Sequence, residues 1–178
     1  MARKELDVWL YGVHIARLSE PSRFRSRLDF TDDALDAFGE GSRVLSLALP
    51  ISRRPISDNK GPGSEQPVSA FLAGLLPEGN VRAQIAAEAR VAVTDSMELL
   101  RRFGAECVGA VEILDSEIAP GPGHIRPLTD DEIARLIEDL PTYHLPDGAT
   151  PQASLAGIQD KVLLTAIADG RWGWPEQG

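Results

Sequence analysis

A polar, glycine-containing stretch near the end of the chain carries the residue types that could contact a phosphate group. Residues 154–161 read Ser-Leu-Ala-Gly-Ile-Gln-Asp-Lys and lead into the apolar segment 162–167. The Asp-Gly pair at 169–170 suits a two-residue hairpin turn, and residues 171–174 suit the returning strand. A loop leading into a hairpin can lay backbone N–H groups over nucleotide phosphates. The stretch matches neither the three-glycine kinase loop nor the Walker A spacing, so an ordinary loop remains an alternative.

The other residue types that support catalysis or metal binding are scattered. His14, His124 and His144 lie far apart, with no cysteine or carboxylate at metal-ligand spacing. Cys107 precedes an apolar segment and is interpreted as a small buried hydrophobe, because nothing around it predicts a lowered thiol pKa. We therefore predict no metal site and no cysteine nucleophile.

Charged and aromatic clusters receive structural interpretations. Acidic pairs at 32–33 and 130–131 stand at predicted helix starts, where the helix dipole favours negative charge, so they indicate capping rather than acid–base catalysis. Trp172 and Trp174 alternate and so share one strand face, for which core packing is favoured over nucleotide stacking. A solvated strand face is favoured over a ligand site for four clustered arginines. These are Arg17, Arg23, Arg25 and Arg27.

The composition is that of a globular protein without its own nucleic-acid surface. The 178 residues carry a net charge of −9, which argues against autonomous nucleic-acid binding because phosphate contacts need a basic face. Hydrophobic content of 43% and charged content of 25% are ordinary. A single cysteine, no credible signal peptide and no apolar run of membrane-spanning length predict a cytoplasmic protein.

The first part of the chain reads as mixed strands and helices. Two strands are predicted on either side of Gly12 and a third at residues 27–30. A short helix at 31–38 follows, with Thr31 as its N-cap, then a strand at 44–50 that stops at Pro50. Residues 52–67 are rich in Pro, Gly and Ser and are predicted to form a loop.

Helical periodicity dominates the next segment. Apolar residues at three- and four-residue spacing predict three helices between residues 68 and 103, the last of which ends at Gly104, and residues 108–114 suit a strand. An irregular linker at 119–124 precedes a helix that begins with the capping box Thr-Asp-Asp-Glu at 129–132. A second irregular stretch occupies 141–151.

Four segments, in order along the chain, carry a resemblance to one family. Residues 154–161 are similar to the Ser-x-x-Gly-Ala-Gln-Glu-Lys loop of the HipA-type serine/threonine kinases, the toxins of bacterial toxin–antitoxin pairs. Residues 45–50 and 71–80 resemble the family's Leu-Ser-Leu-x-Leu-Pro and Leu-Leu-Pro-[Asp/Glu]-x segments, and Val-Gly-Ala-Val at 108–111 also matches. The chain is thus identified as the N-terminal portion of a HipA-type kinase.

The resemblance implies an α+β fold in three parts. A mixed strand and helix subdomain is expected over residues 1–127, followed by a connecting helix and linker over 128–151. Residues 152–178 would begin a kinase-like N-lobe with the first hairpin, which carries the phosphate loop.

The resemblance also implies roles within the loop. Ser154 matches a serine that is autophosphorylated in the family, which makes it a candidate switch rather than a nucleophile. The loop departs from the family pattern at two positions, where isoleucine replaces alanine and aspartate replaces glutamate. The residues expected to hold the nucleotide phosphates are Ala156, Gly157, Ile158, Gln159, Asp160 and Lys161.

Protein phosphoryl transfer needs parts that the family places C-terminal to this loop. These are a lysine on the phosphates, an aspartate that orients the substrate hydroxyl, and Asn and Asp ligands for magnesium. The lysine is expected on the strand after the hairpin, past Gly178, and Lys161 does not replace it because it belongs to the loop motif. We therefore expect no catalytic residue, no tightly bound cofactor and no kinase activity in this chain alone.

For the complete kinase the resemblance implies ATP and Mg²⁺ as cofactors and a protein serine or threonine as the acceptor, for example in an aminoacyl-tRNA synthetase. A helix-turn-helix antitoxin would restrain it, with DNA contacted only through that antitoxin and no membrane involved. The alternative is a non-catalytic interaction module that binds an antitoxin or a kinase domain supplied in trans.

Overall fold

The structure is a computed structural model that describes residues 5–22, 25–59, 65–107, 110–116, 118–121, 123–139 and 164–176. It contains helices and two antiparallel sheets, so the predicted α+β class is confirmed.

A five-stranded antiparallel sheet forms the first part of the fold. Its strands in chain order are β1 (Glu5–Leu10), β2 (Val13–Ser22), β3 (Arg25–Phe30), β4 (Ile56–Ser57) and β5 (Val111–Asp115). In space the order is β4-β3-β2-β1-β5, which places β1 between β2 and β5. The edge strand beside β1 is therefore β5, which is the furthest from β1 in sequence.

The β1–β2 hairpin forms where the sequence predicts it. Tyr11 and Gly12 both adopt positive φ angles, 52° and 75°, which is the backbone of the tight turns that match strand twist. The register shifts between Val8 and Trp9, so the pairing contains an irregularity of the bulge type. The shift leaves Trp9 opposite His14.

Four helices pack with this sheet in one core. They are α1 (Asp32–Phe38), α2 (Pro67–Gly74), α3 (Gly79–Ala89) and α4 (Ser96–Phe103). Alternate residues of β1 (Leu6, Val8 and Leu10) are buried together with Leu72 of α2 and Leu100 of α4. We call this cluster, whose fully and largely buried members run from Leu6 to Ile113, the first core. The helices predicted between residues 68 and 103 are confirmed.

Two local signals set the helix ends. The Thr31 side chain accepts a hydrogen bond from Ala34 N at 3.1 Å and so caps α1, as predicted. Gly104 ends α4 as predicted. A Cβ atom at Gly104 would lie 2.5 Å from the backbone oxygen of Ile113, so only glycine lets the end of α4 approach β5 this closely.

The strand predicted at residues 44–50 is wrong. Leu49 N donates to Ser46 O at 3.1 Å, which closes a turn, and Ser46 with Leu49 forms only an isolated bridge. Leu47 is 79% exposed at the tip of this turn, whereas Leu49 is fully buried. Alternating leucines therefore do not share one strand face here, because the chain reverses between them.

A second, three-stranded sheet lies in the later part of the chain. Its strands are β6 (His124–Pro127), β7 (Thr165–Ala166) and β8 (Trp172–Glu176), in the order β6-β8-β7. Helix α5 (Asp130–Asp139) follows β6 directly. We call the buried Leu128, Leu136 and Trp174, with Ile133 and Leu164 packed against them, the second core.

The pairing of β6 bears on the predicted division of the chain. The sequence places residues 124–127 in the first subdomain, and the start of that segment in an irregular linker. Instead His124 pairs with Glu176 and Pro127 with Gly173, within the second sheet. Helix α5, predicted as a connector, contributes Leu136 to the second core. The boundaries at 127 and 151 stay predictions, and the strand pairing favours an earlier first boundary, between Asp115 and His124.

Candidate functional site

The hairpin that follows the predicted phosphate loop in sequence lies in the second sheet. Ser154 and residues 156–161 lie outside the described residues, so their predicted roles stay predictions. The described chain resumes at residue 164, and β7 begins one residue later. The described part of the candidate site therefore consists of the hairpin that follows the loop and the elements that support this hairpin.

The turn between β7 and β8 is wider than predicted. Thr165 pairs with Gly173 and Ala166 with Trp172, while Ile167 N donates to Arg171 O at 2.9 Å. Three residues, Ala168–Gly170, therefore form the turn instead of the expected two. Asp169 and Gly170 still adopt the left-handed backbone that makes Asp-Gly a turn dipeptide, with φ angles of 64° and 70°.

The two tryptophans of β8 differ in environment. Trp174 is 3% exposed in the second core, whereas Trp172 is 47% exposed. Core packing, favoured for both from their alternation, is therefore confirmed for Trp174 and wrong for Trp172. The two residues also differ in position: Trp174 pairs with Arg126 within the β6–β8 ladder, whereas Trp172 pairs with Ala166 near the turn and accepts a hydrogen bond from Leu128 N at 2.9 Å.

Gly173 separates the tryptophans and fixes how closely β6 approaches β8. A Cβ atom on Gly173 would lie 2.3 Å from Ile125 Cγ2 and 3.1 Å from the backbone oxygen of Arg126. Real Cβ atoms essentially never make contacts below 3.0 Å, so a side chain here requires the strands to shift. The glycine thus permits Ile125 to pack directly over the β8 backbone.

The capping box predicted at residues 129–132 is confirmed. Thr129 N donates to Glu132 Oε2 at 2.8 Å, and Glu132 N donates to Thr129 Oγ1 at 3.3 Å. Arg126 Nη1 of β6 donates to Glu132 Oε1 at 2.8 Å. The backbone bond from Thr129, followed by the bonds from Arg126 and the Thr129 hydroxyl, lowers the pKa of Glu132 to about 2. One carboxylate therefore ties the start of α5 to β6.

Side chains that could bind a metal ion are not clustered in the part of the chain that the structure describes. Among the described residues, no group of three or more His, Cys, Asp or Glu side chains could hold a metal ion.

A buried carboxylate that the sequence did not single out lies in the first part of the fold. Asp58 is 1% exposed and follows β4 directly. Its side chain accepts hydrogen bonds from Val68 N at 3.0 Å, Ser69 N at 3.2 Å and Ser26 N at 3.3 Å. Gln66, the N-cap residue of α2, makes no side-chain capping bond. Asp58 thus caps α2 from a distance and joins it to β3, which is a structural role.

The clustered arginines contact groups of the protein itself. Arg27 donates two hydrogen bonds to Asp29, at 2.8 and 2.6 Å, and this contact raises the pKa of Arg27. Arg25 donates to the backbone oxygen of Asp58 at 3.0 Å, and Arg23 lies outside the described residues. The three described arginines therefore each have a partner within the strands or beside them, since Arg17 donates to Asp7 at 3.4 Å.

Two further reactive side chains, His14 and Cys107, lie in the first part of the fold. His14 stacks on Trp9 with ring centroids 4.9 Å apart, and its Nε2 lies 3.1 Å from Asp7 Oδ1. Cys107 is buried, and burial raises the pKa of its thiol to about 12. The interpretation of Cys107 as a buried hydrophobe is confirmed, because such a thiol is neutral near pH 7.

None of the helices in the described ranges combines the length and the apolar composition that crossing a membrane requires.

Together these features define an α+β protein with a helix-covered five-stranded sheet and a smaller sheet built around a hairpin. A family model described as HipA N-terminal domain matches residues 6–114, more than half of the chain. The chain belongs to the HipA family, of which it represents an N-terminal portion.

The proteins that are similar to the chain include two curated relatives and a solved structure. Y4mE of Sinorhizobium fredii, named as a candidate kinase, is 30% identical over 185 aligned residues, which cover 100% of this chain and 42% of that protein. The serine/threonine-protein kinase toxin HipA of Shewanella oneidensis is 28% identical over 106 residues, 58% of this chain and 24% of that protein. The chain thus spans less than half of the length of these relatives.

The solved structure is of the Shewanella oneidensis MR-1 toxin–antitoxin system, a complex of HipA, HipB and operator DNA. The match has a TM-score of 0.67 and 24% sequence identity, and it covers 97% of this chain and 38% of the matched chain. At 24% sequence identity, this structural similarity shows that the chain shares the fold of the matched part of that structure.

Proposed function

We propose that this chain is the N-terminal portion of a HipA-type toxin kinase that phosphorylates a protein serine or threonine with ATP. The observation that carries the proposal is the match of residues 6–114 to the HipA N-terminal domain, alongside similarity to a protein named as a serine/threonine-protein kinase toxin. Because the chain covers less than half of these relatives, the activity belongs to a complete protein that includes the parts needed for phosphoryl transfer.

Within that protein, residues 156–161 would hold the phosphates of ATP. The described hairpin supports this role, because it follows the loop in sequence and is stabilised by pairing with β6 and by packing against α5. ATP would supply the phosphoryl group, and Mg²⁺ would neutralise charge on the phosphates. The residues of this chain would contribute the loop and its support rather than the acid–base or metal-binding groups.

A helix-turn-helix antitoxin is the proposed partner. The support is the fold shared with a HipA chain in a complex with HipB and operator DNA. The net charge of −9 favours contact with DNA through the antitoxin rather than directly. A protein such as an aminoacyl-tRNA synthetase is the proposed acceptor, and the cytoplasm is the proposed location.

The activity can be tested by comparing residues 1–178 with the protein translated from the full reading frame. Both would be incubated with labelled ATP, Mg²⁺ and a generic protein acceptor. We expect transfer by the full-frame protein and none above background by residues 1–178, because the phosphate-binding lysine, the catalytic aspartate and the metal ligands belong to the complete kinase. Transfer by residues 1–178 in a preparation free of other kinases would overturn this division of roles.

Reading the coding sequence past residue 178 separates the kinase from the interaction module. A reading frame that continues past residue 178 with a catalytic Asp and Asn supports the kinase. A stop codon beside a separate kinase gene supports a module that binds an antitoxin or a kinase domain in trans. A full-frame protein that carries the catalytic residues and transfers no phosphate would contradict the proposed activity.

A further inference from the structure

We draw no further inference here: the strongest candidate, the polar cleft of about 180 Å³ that the first turns of α2 and α4 form with Glu20 and Ser26, combines two carboxylates with helix N-termini already capped by Asp58 and Asp95, and nothing among the described residues around it shows which ligand it would take.

Discussion

At the scale of single residues, Asp58 holds together elements that are distant in sequence. Its carboxylate accepts from backbone N–H groups of both β3 and α2, and neither oxygen is left to solvent because the residue is 1% exposed. A buried backbone N–H without an acceptor costs about 1–3 kcal/mol of stability. Replacing the carboxylate of Asp58 with an amide, which has only one acceptor oxygen, should therefore be unfavourable.

We predict that Asp58→Asn destabilises the first part of the fold by about 2 kcal/mol, because the amide NH₂ replaces one acceptor and then faces the backbone N–H of Ser26 or of Val68, depending on which oxygen it replaces. The free energy of unfolding measured with urea tests this. The matched control is Asp36→Asn on the exposed side of α1, which should change stability by less than about 0.5 kcal/mol. Equal stabilities of the two variants would show that Asp58 is not a cap.

Ser154 is the residue at which charge would regulate the proposed nucleotide site. In the full-frame kinase, made catalytically dead to prevent self-modification, Ser154→Asp should weaken ATP binding roughly fivefold to tenfold, about 1–1.4 kcal/mol. The physical reason is repulsion between the carboxylate and the ATP phosphates. A phosphoserine, with a charge of about −1.5 to −2, should weaken binding further.

The matched control is Ser154→Asn, which is similar in size to aspartate and uncharged. Calorimetric titration with ATP measures both variants. Equal affinities for the aspartate and asparagine variants would refute the electrostatic switch, while retained ATP binding would leave the proposed kinase function intact. Loss of ATP binding in the protein with Ser154 itself would instead contradict the proposed function.

At the scale of elements, the hairpin depends on the close contact between Ile125 and Gly173. We predict that Gly173→Ala destabilises the second sheet by about 1–3 kcal/mol, because the new Cβ overlaps Ile125 Cγ2. Amide hydrogen exchange of β6 and β8 should report the loss. The control is Gly121→Ala, where a Cβ meets nothing within 4 Å.

A double-mutant cycle distinguishes this contact from a general effect of the methyl group. Adding Ile125→Ala removes Cγ2, so the double variant should lose less stability than the sum of the two single variants. Additive losses would show that the overlap with Ile125 is not the cause.

The elements that the sequence predicts correctly are those with local signals. Gly12, the N-cap Thr31 and the capping box at 129–132 act within a few residues, and helical periodicity between 68 and 103 needs no distant partner. Two features that the sequence did not predict depend on non-local contacts. Strand β6 exists because of β8, far along the chain, and Asp58 caps a helix that begins nine positions later.

In the candidate site, too, features with local signals were predictable and features that depend on distant contacts were not. The hairpin and its left-handed Asp-Gly turn were predictable, since dipeptide chemistry is local. The width of the turn and the exposure of Trp172 were not, because both depend on how β8 registers against β6 and β7. Residues 44–50 are a local exception: an imperfect alternation of side chains favoured a strand, but the chain reverses in a turn between Ser46 and Leu49.

At the scale of the whole molecule, the two cores draw on separate parts of the chain. Among the described residues, the buried members of the first core lie between Leu6 and Ile113, and those of the second core lie between Leu128 and Trp174. The described residues between Asp115 and His124 belong to neither core, so we expect the chain to separate into two folding units there.

We therefore predict that a fragment of residues 1–118 unfolds cooperatively with nearly the same midpoint as the first unit of the intact chain. Trp9 reports on this directly, because it is the only tryptophan of the fragment. In the intact chain, limited proteolysis should cut first near residues 118–123 or 146–151, where Pro and Gly are frequent. First cuts within residues 68–103, or a fragment without a cooperative transition, would contradict the boundary. A longer fragment of residues 1–127 should be no more stable than 1–118, because its added strand β6 has lost its partner β8.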